Sequence, residues 1–513
     1  MSHEHLFING VNMKYIKIFE GRRMWAWFIL LSILISLLVA MFSGSLQIKR
    51  NIHAGAPLEI FQVHMEERIH TLMKLYQIPG CSIALVHDYE IAWTQGFGYA
   101  DVESGRALTA DTAMSVQSIT KSLTAWGVMK LAEKGLIDVD APLSSYLMSW
   151  QFPHTDYSIE KVTVRRLLNH TAGIPLGDFG DIYAPGAEMP SLREKLTREA
   201  ILLYEPGTRF SYSNVGYHLL ELLIEEVTGE KFAEYMYSEV LLPLSMEMST
   251  FDVGNDMIPY PPTGYNLGGK PVPVYLYPQK ASGGLFATAE DIARFVVASM
   301  NENPVLSDES VKMLHTPQTR KIGIYSLVFD AYGFGHYIET IPNDLYSISH
   351  GGQGNGIMTH FQAIPETGDA IVILTNSQRS WPFIAYLLSD WGQWLSLSQV
   401  GMERIIWAHY GLSAVIGMLL SMSLLIILRM IVAFYVQKQI GYRFFWVGIS
   451  AILLGILFWC ASQEYLLISS VFPVLSVWLG STVLVFSIAL LLPTLLFHIT
   501  KKRCYNSERV IGD

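Results

Sequence analysis

Three short polar motifs in this chain carry residue types suited to acyl transfer. Ser118-Ile119-Thr120-Lys121 opens an apolar helical pattern, Tyr212-Ser213-Asn214 follows, and His350-Gly351-Gly352 comes last. A serine hydroxyl is a weak nucleophile until a neighbouring base takes its proton. Ser118 and Lys121 lie about one helical turn apart, so both side chains share a face and the amine can reach the hydroxyl. A helix start also offers free N–H groups to a developing oxyanion. Tyr212 brings a phenol; beside a Lys ammonium its pKa would fall, making a phenolate base available. Asn214 is placed to orient Lys121 and to hold a substrate carbonyl. The stretch from His350 through Gly352 reads as a sheet edge where a substrate pairs through its backbone. The Gln353 N–H is then a second oxyanion donor beside that of Ser118.

Each motif alone has an ordinary reading. Ser158-Ile159-Glu160-Lys161 repeats the S-x-x-K spacing by chance. Tyr212 alone is a loop tyrosine, and His350-Gly351-Gly352 alone is a turn between strands. His170 reads as a cap on local structure, and His87, His154 and His218 as structural. No Cys/His spacing fits zinc. Of the three cysteines only Cys81 falls in the central segment, which excludes a disulfide framework there. A formal net charge of −10 argues against nucleic acid as a partner.

The elements that must position these groups are legible in the patterning. Ile60, Val63, Ile69, Leu72 and Leu75 predict a helix over 58–76. Strands at 82–86 and 91–93 form a hairpin with His87-Asp88-Tyr89-Glu90 as its turn. From Ser118, the residues Leu123, Trp126, Val128, Leu131 and Ala132 predict a helix stopped near Gly135. Residues 140–280 read as helices separated by Pro and Gly, including Tyr217 to Val227 closed by Gly229. Ser282-Gly283-Gly284-Leu285 marks a turn, and Thr288-Ala289-Glu290-Asp291 a helix start. Strand patterns return at 346–349, 358–364 and 370–374. Ile384, Leu387, Leu388, Trp391 and Leu395 then predict an amphipathic helix. Strands at both ends with helices between them predict an α/β (α+β) domain, an antiparallel sheet flanked by helices with an all-helical subdomain.

The order S-x-x-K, Y-x-N, H-x-G resembles the serine β-lactamase and penicillin-binding-protein superfamily, in its class C β-lactamase-like branch. Leu167-Leu168-Asn169-His170-Thr171-Ala172-Gly173-Ile174-Pro175, Glu205-Pro206-Gly207 and Ser282-Gly283-Gly284-Leu285 support the likeness, which covers about 58–395. The resemblance implies Ser118 as the acylated nucleophile, Lys121 and Tyr212 as the acid/base pair, a site between the sheet and the helical subdomain, and no metal or cofactor. It implies a substrate that is a small peptide, an ester or derived from the cell wall. One departure stands out. Many members carry Lys-Thr-Gly at the third motif, where cation and hydroxyl bind the substrate carboxylate. Here a largely neutral His350 (unperturbed pKa about 6.5) and a bare Gly351 weaken that grip. The expected substrates are therefore esters, amides or internal peptide bonds, including D-amino-acid-containing peptides.

The chain has 513 residues, of which 51% are hydrophobic, and a mean hydropathy of +0.30. The excess lies at the two ends. Residues 24–46, 405–428, 444–463 and 465–500 contain no charged side chain, and each run can hold the roughly 20-residue helix that crosses a bilayer. Lys and Arg cluster before the first run, between the second and third, and after the fourth. The positive-inside rule then gives a cytoplasmic N-terminus over 1–23 and an anchor, or signal peptide, over 24–46. It makes 47–404 an extracytoplasmic catalytic domain, 405–500 three transmembrane helices, and 501–513 a cytoplasmic tail. The last three helices, as well as anchoring the chain in lipid, are a candidate docking site for a membrane protein partner. Two other readings are a membrane sensor acylated by β-lactams and a non-catalytic wall-binding protein. The short cytoplasmic segments 429–443 and 501–513 leave no room for an output domain, and the complete motif set argues against a mere binder.

Overall fold

A computed structural model describes residues 22–43, 52–177, 181–254, 257–341, 345–397, 399–435, 444–463 and 466–510. The chain divides into two compact units, Met1–Arg50 with Ile405–Asp513, and Asn51–Arg404.

The first unit is helical. It contains α1 (Arg22–Phe42), α11 (Glu403–Tyr435, which begins in the other unit), α12 (Phe444–Ala461), α13 (Leu467–Val471) and α14 (Leu475–Val510). Among the described residues three helices are long and apolar enough to cross a membrane: Trp25–Phe42, Glu403–Val432 and Leu475–Pro493. Phe445–Ala461 is apolar but shorter. The uncharged run 465–500 is not one helix. It breaks between α13 and α14, where Pro473 lacks the N–H that would continue the ladder. Of the charges that flank the apolar runs, Lys14, Lys17, Lys438 and Arg443 lie outside the described residues, as does most of the 1–23 segment.

The second unit bears out the expected layers. Its helices are α2 (Leu58–Tyr76), α3 (Thr120–Glu133), α4 (Val164–Leu168), α5 (Leu192–Glu199), α6 (Asn214–Thr228), α7 (Phe232–Met236), α8 (Ala289–Ala298), α9 (Asp308–His315) and α10 (Trp381–Trp394). Its strands are β1 (Gly80–His87), β2 (Glu90–Asp101), β3 (Arg106–Ala107), β4 (Met114–Ser115), β5 (Gly264–Tyr265), β6 (Pro271–Val272), β7 (Phe286–Ala287), β8 (Ala331–Tyr332), β9 (Tyr337–Thr340), β10 (Tyr346–Gly354), β11 (Ile357–Ile364) and β12 (Asp369–Thr375). Among the described residues the main sheet has eight strands in the order β3-β2-β1-β12-β11-β10-β9-β8, and its pairings are antiparallel.

The central strands β1, β11 and β12 are buried on both faces, and most of their residues are apolar, with Ser82, Thr359, His360 and Gln362 among the buried polar exceptions. Ala84, Val86, Phe361, Val372 and Leu374 share one core with residues of α3, α6 and α8. Cys81 points the other way and meets Met73 of α2. The α2 boundaries match the expectation, but the buried stripe does not. Phe61, Met65, Ile69, Leu72 and Tyr76 face inward, while Ile60 and Val63 are exposed. The first hairpin is tighter than expected, because Asp88 and Tyr89 both adopt positive φ in a two-residue turn.

Two helix starts position the site. Ser213 caps α6 by accepting from the Gly216 N–H, and Gly229 ends it at φ 76°. Thr288 caps α8, with Glu290 and Asp291 in its first turn. Helix α3 is buried on nearly every side, since it runs between the sheet and the helical layer around α6.

Candidate active site

Ser118 sits in a 3₁₀ turn, Gln117–Ile119, that runs directly into α3. The turn is held from both sides. The Val116 N–H donates to the Leu285 carbonyl at 2.9 Å, extending the β4–β7 pairing. Gln117 adopts φ 53°, a left-handed conformation that costs a non-glycine residue of the order of 1 kcal/mol or more. Its buried amide is fixed by three hydrogen bonds. Nε2 donates to Ser115 Oγ (2.7 Å) and the Tyr275 hydroxyl (3.3 Å), and Oε1 accepts from the Tyr277 hydroxyl (3.0 Å). The strain aims Ser118, which is half-buried, away from the packed helix face.

Lys121 has no exposed surface. Its Nζ lies 3.0 Å from Ser118 Oγ and donates to the Ser282 carbonyl at 2.6 Å. Loss of hydration pushes its pKa well below the ordinary lysine value. The Tyr212 hydroxyl hydrogen-bonds Ser118, and its ring lies 5.1 Å from Lys121 Nζ. Here the expected electrostatics are reversed. Burial, followed by the neighbouring Tyr325, raises the Tyr212 pKa well above its ordinary value. A phenolate is therefore disfavoured, and the neutral amine is the stronger candidate base. His170 packs 4.3 Å from the Tyr212 ring, and its Nδ1 accepts from the Ser213 N–H at 3.1 Å. It supports the tyrosine loop, as a local cap should.

Asn214 is buried at the start of α6, but it does not orient Lys121; the Ser282 carbonyl and Ser118 do. His350-Gly351-Gly352 is also not a turn. Strand β10 continues through it to Gly354, pairing with β11 over Ile348–Gly354 but with β9 only over Tyr346–Ser349. Among the described residues the far end of β10 therefore has no strand partner on its β9 side, and the Gln117–Ile119 turn lies beside it. That supports the sheet-edge expectation, with two corrections.

His350 has no exposed surface. Nε2 is 3.2 Å from the Tyr332 hydroxyl, Nδ1 is 2.8 Å from the Gly351 carbonyl, and burial holds its pKa well below the ordinary value. It packs beneath the site, neutral, instead of reaching substrate. Gly352 makes room for the close approach of the Val116–Gln117 backbone leading into Ser118 and for Thr359. A Cβ there would collide with the Val116 carbonyl and Thr359 Oγ1. Gln353 is half-buried at the open edge, and its Oε1 accepts from Trp381 Nε1 at 3.3 Å.

Sequence reasoning missed the Ser282 carbonyl, Gln117 and the aromatic wall of Tyr217, Tyr325, Tyr332 and Tyr337. Tyr325 lies 5.6 Å from Tyr212 and 5.5 Å from Tyr337, ring to ring. A carbonyl leaves no signal in side-chain identity, and the tyrosines come from distant segments.

Comparison with known proteins identifies the family. A family model described as Beta-lactamase matches residues 65–386. Protein flp of Staphylococcus aureus (strain N315) is 27% identical over 317 residues, covering 60% of this chain and 61% of its own length. The chain thus spans about three fifths of that relative. The putative penicillin-binding protein PbpX of Bacillus subtilis (strain 168) is 28% identical, covering 64% of this chain and 78% of that one. The structure of the octameric penicillin-binding protein homologue from Pyrococcus abyssi superposes with a TM-score of 0.54 at 27% identity, covering 65% of this chain and 77% of that chain. The chain belongs to the Beta-lactamase family, whose members are serine hydrolases.

Proposed function

We propose that this chain is a membrane-anchored serine hydrolase of the class C β-lactamase-like branch, forming an acyl-enzyme on Ser118. The observation that carries the reading is Lys121 Nζ, fully buried and 3.0 Å from Ser118 Oγ. Burial favours the neutral amine, which takes the hydroxyl proton as Oγ attacks the substrate carbonyl. The oxyanion is received by the N–H groups of Ser118 and Gln353. Tyr212, a neutral phenol bonded to Ser118, hands a proton on to the leaving group, and water then releases the acyl group. Asn214, two residues after Tyr212 at the start of α6, is positioned for contact with the substrate.

The substrates are D-amino-acid-containing peptides or esters at the cell envelope. The neutral, buried His350 and the bare Gly351 leave no cation at the third motif for a free terminal carboxylate. Lys and Arg distribution supports a catalytic domain at 47–404 outside the cytoplasm, an anchor at 24–46 and further spans within 405–500 that also offer a surface to a membrane partner.

A matched peptide pair, free acid against amide, tests the substrate reading by kcat/KM. A charge-assisted contact is worth about 1.5–3 kcal/mol, or roughly 10- to 100-fold. The proposal expects less than about tenfold discrimination. A larger preference for the free acid would mean that another cation grips the carboxylate.

A further inference from the structure

Glu221 lies on α6, outside every motif used above. Its side chain is buried, with 4% exposed. One carboxylate oxygen accepts from the N–H groups of Lys280 (2.7 Å) and Ala281 (2.8 Å). The next residue is Ser282, whose carbonyl accepts from Lys121 Nζ. The same turn is gripped by Thr124 Oγ1, which donates to the Ala281 carbonyl at 2.8 Å, and by His218 Nε2, 2.8 Å from Ser282 Oγ. The Gly284 N–H closes it onto the Lys280 carbonyl at 2.8 Å. The Leu285 carbonyl then accepts from the Val116 N–H, two residues before Ser118. One turn therefore touches both the strand that carries the nucleophile and the amine beside it.

A carboxyl group on the inner face of a packed helix is costly unless its oxygens are satisfied. Neighbouring inward positions on α6, such as Leu220, Leu222 and Leu223, are apolar. We propose that Glu221 is a positioning residue: it fixes the 280–282 turn and, through the Ser282 carbonyl, holds Lys121 Nζ against Ser118 Oγ. It touches neither substrate nor reacting atoms. The inference rests on the reading of Ser118 as nucleophile and Lys121 as base. A backbone carbonyl is a fixed acceptor, and displacing it by about 1 Å carries the amine out of line at a cost of about 10²-fold in rate.

The test uses the full chain in detergent and a fluorophosphonate probe. Ser118 Oγ forms a bond to phosphorus, fluoride leaves, and the hydroxyl proton passes to Lys121. Saturation kinetics separate the probe Kd from the limiting rate k2, and k2 is normalised to titrated active sites. Glu221→Gln keeps an acceptor oxygen at the same reach, Glu221→Asp draws it back by one methylene, and Glu221→Leu removes it. The expected k2 values are within about threefold of wild type for Gln, about tenfold lower for Asp and about 100-fold lower for Leu, with Kd within about twofold throughout. Should Glu221→Leu not fold, the Gln and Asp pair carries the same comparison. Wild-type k2 in Glu221→Asp, or a loss in Kd as large as that in k2, would overturn the proposal. Ser118→Ala separates the two readings. Labelling that persists there removes the nucleophile assignment itself, whereas its absence beside unaffected Glu221 variants removes only the role of Glu221.

Discussion

Lys121 and Tyr212 face each other across Ser118, with Nζ 5.1 Å from the phenol ring, and burial drives their titrations in opposite directions. The amine loses its proton more readily than a free lysine, and the phenol keeps its proton more firmly than a free tyrosine. Burial therefore shifts each group towards its neutral form.

That ordering predicts the pH dependence of acylation. The rate should rise with pH through a single deprotonation well below the usual lysine pKa of about 10.4, assigned to Lys121. No second deprotonation belonging to Tyr212 should follow below about pH 10. Lys121→Arg, which stays charged at any accessible pH, should lower k2 by about 10³-fold or more, and Tyr212→Phe by about 10²-fold. An acid limb that survives in Lys121→Arg would assign it to another group.

Six buried histidines set the acid stability of the domain. Burial lowers the pKa of His170, His315 and His350 well below the ordinary value, that of His218 and His360 to about 3, and that of His336 to about 4. Below pH 6.5 the unfolded chain binds protons at these positions and the folded chain does not, so stability falls as pH falls. Each uncompensated histidine contributes up to about 1.4 kcal/mol per pH unit. Glu221 and Glu339, raised by burial to about 8 and about 7, act in the opposite sense and lose stability as pH rises through those values. Asp291 and Glu366 are raised by burial too; with six histidines against four carboxyls, the melting temperature should drop from pH 6.5 to 4.5 and ease down only slightly from pH 7 to 8.5. A flat profile between pH 6.5 and 4.5 would show that the histidines titrate normally.

Gly352→Ala probes the contact between β10 and the nucleophile turn. The added methyl meets the Val116 carbonyl and Thr359 Oγ1 well inside contact distance. Overpacking of this kind costs about 1–3 kcal/mol, and here it moves the residues that lead into Ser118. Thermal melts should show the loss, and k2 per folded site should fall by about tenfold or more. Melting and k2 both unchanged from wild type would contradict the packing described.

Membrane orientation is checked with a reporter fused after Asp513. The Lys and Arg flanks predict a cytoplasmic signal, and protease added to intact protoplasts or spheroplasts should cut the 47–404 domain. An extracytoplasmic signal from the fusion would mean an odd number of crossings, and the short Phe445–Ala461 helix is the first to question.

The layers of the catalytic unit were legible in the sequence because their signals are local. The α2 boundaries, the Ser213 and Thr288 caps and the strands around 346–374 follow from periodicity and capping chemistry. The Ser118–Lys121 pair was legible for the same reason, since one helical turn brings its members together. The errors lie where burial decides. Neither the burial of Lys121, which lowers its pKa, nor the inaccessibility of His350 can be read from neighbours in sequence. Both arise from segments distant in the chain, Tyr217, Ser282 and Tyr332 among them. The stripe on α2 was misread because Ile60 and Val63 are apolar yet exposed. In the helical unit, Pro473 was the signal that the run 465–500 is divided.

The central claim is that Ser118 becomes covalently acylated. Intact-protein mass spectrometry after exposure to a penicillin or a fluorophosphonate tests it most directly. One adduct per chain, mapped by peptide digestion to Ser118 and absent from Ser118→Ala, is the predicted result. An adduct on Ser158, or one that persists undiminished in Ser118→Ala, would contradict it.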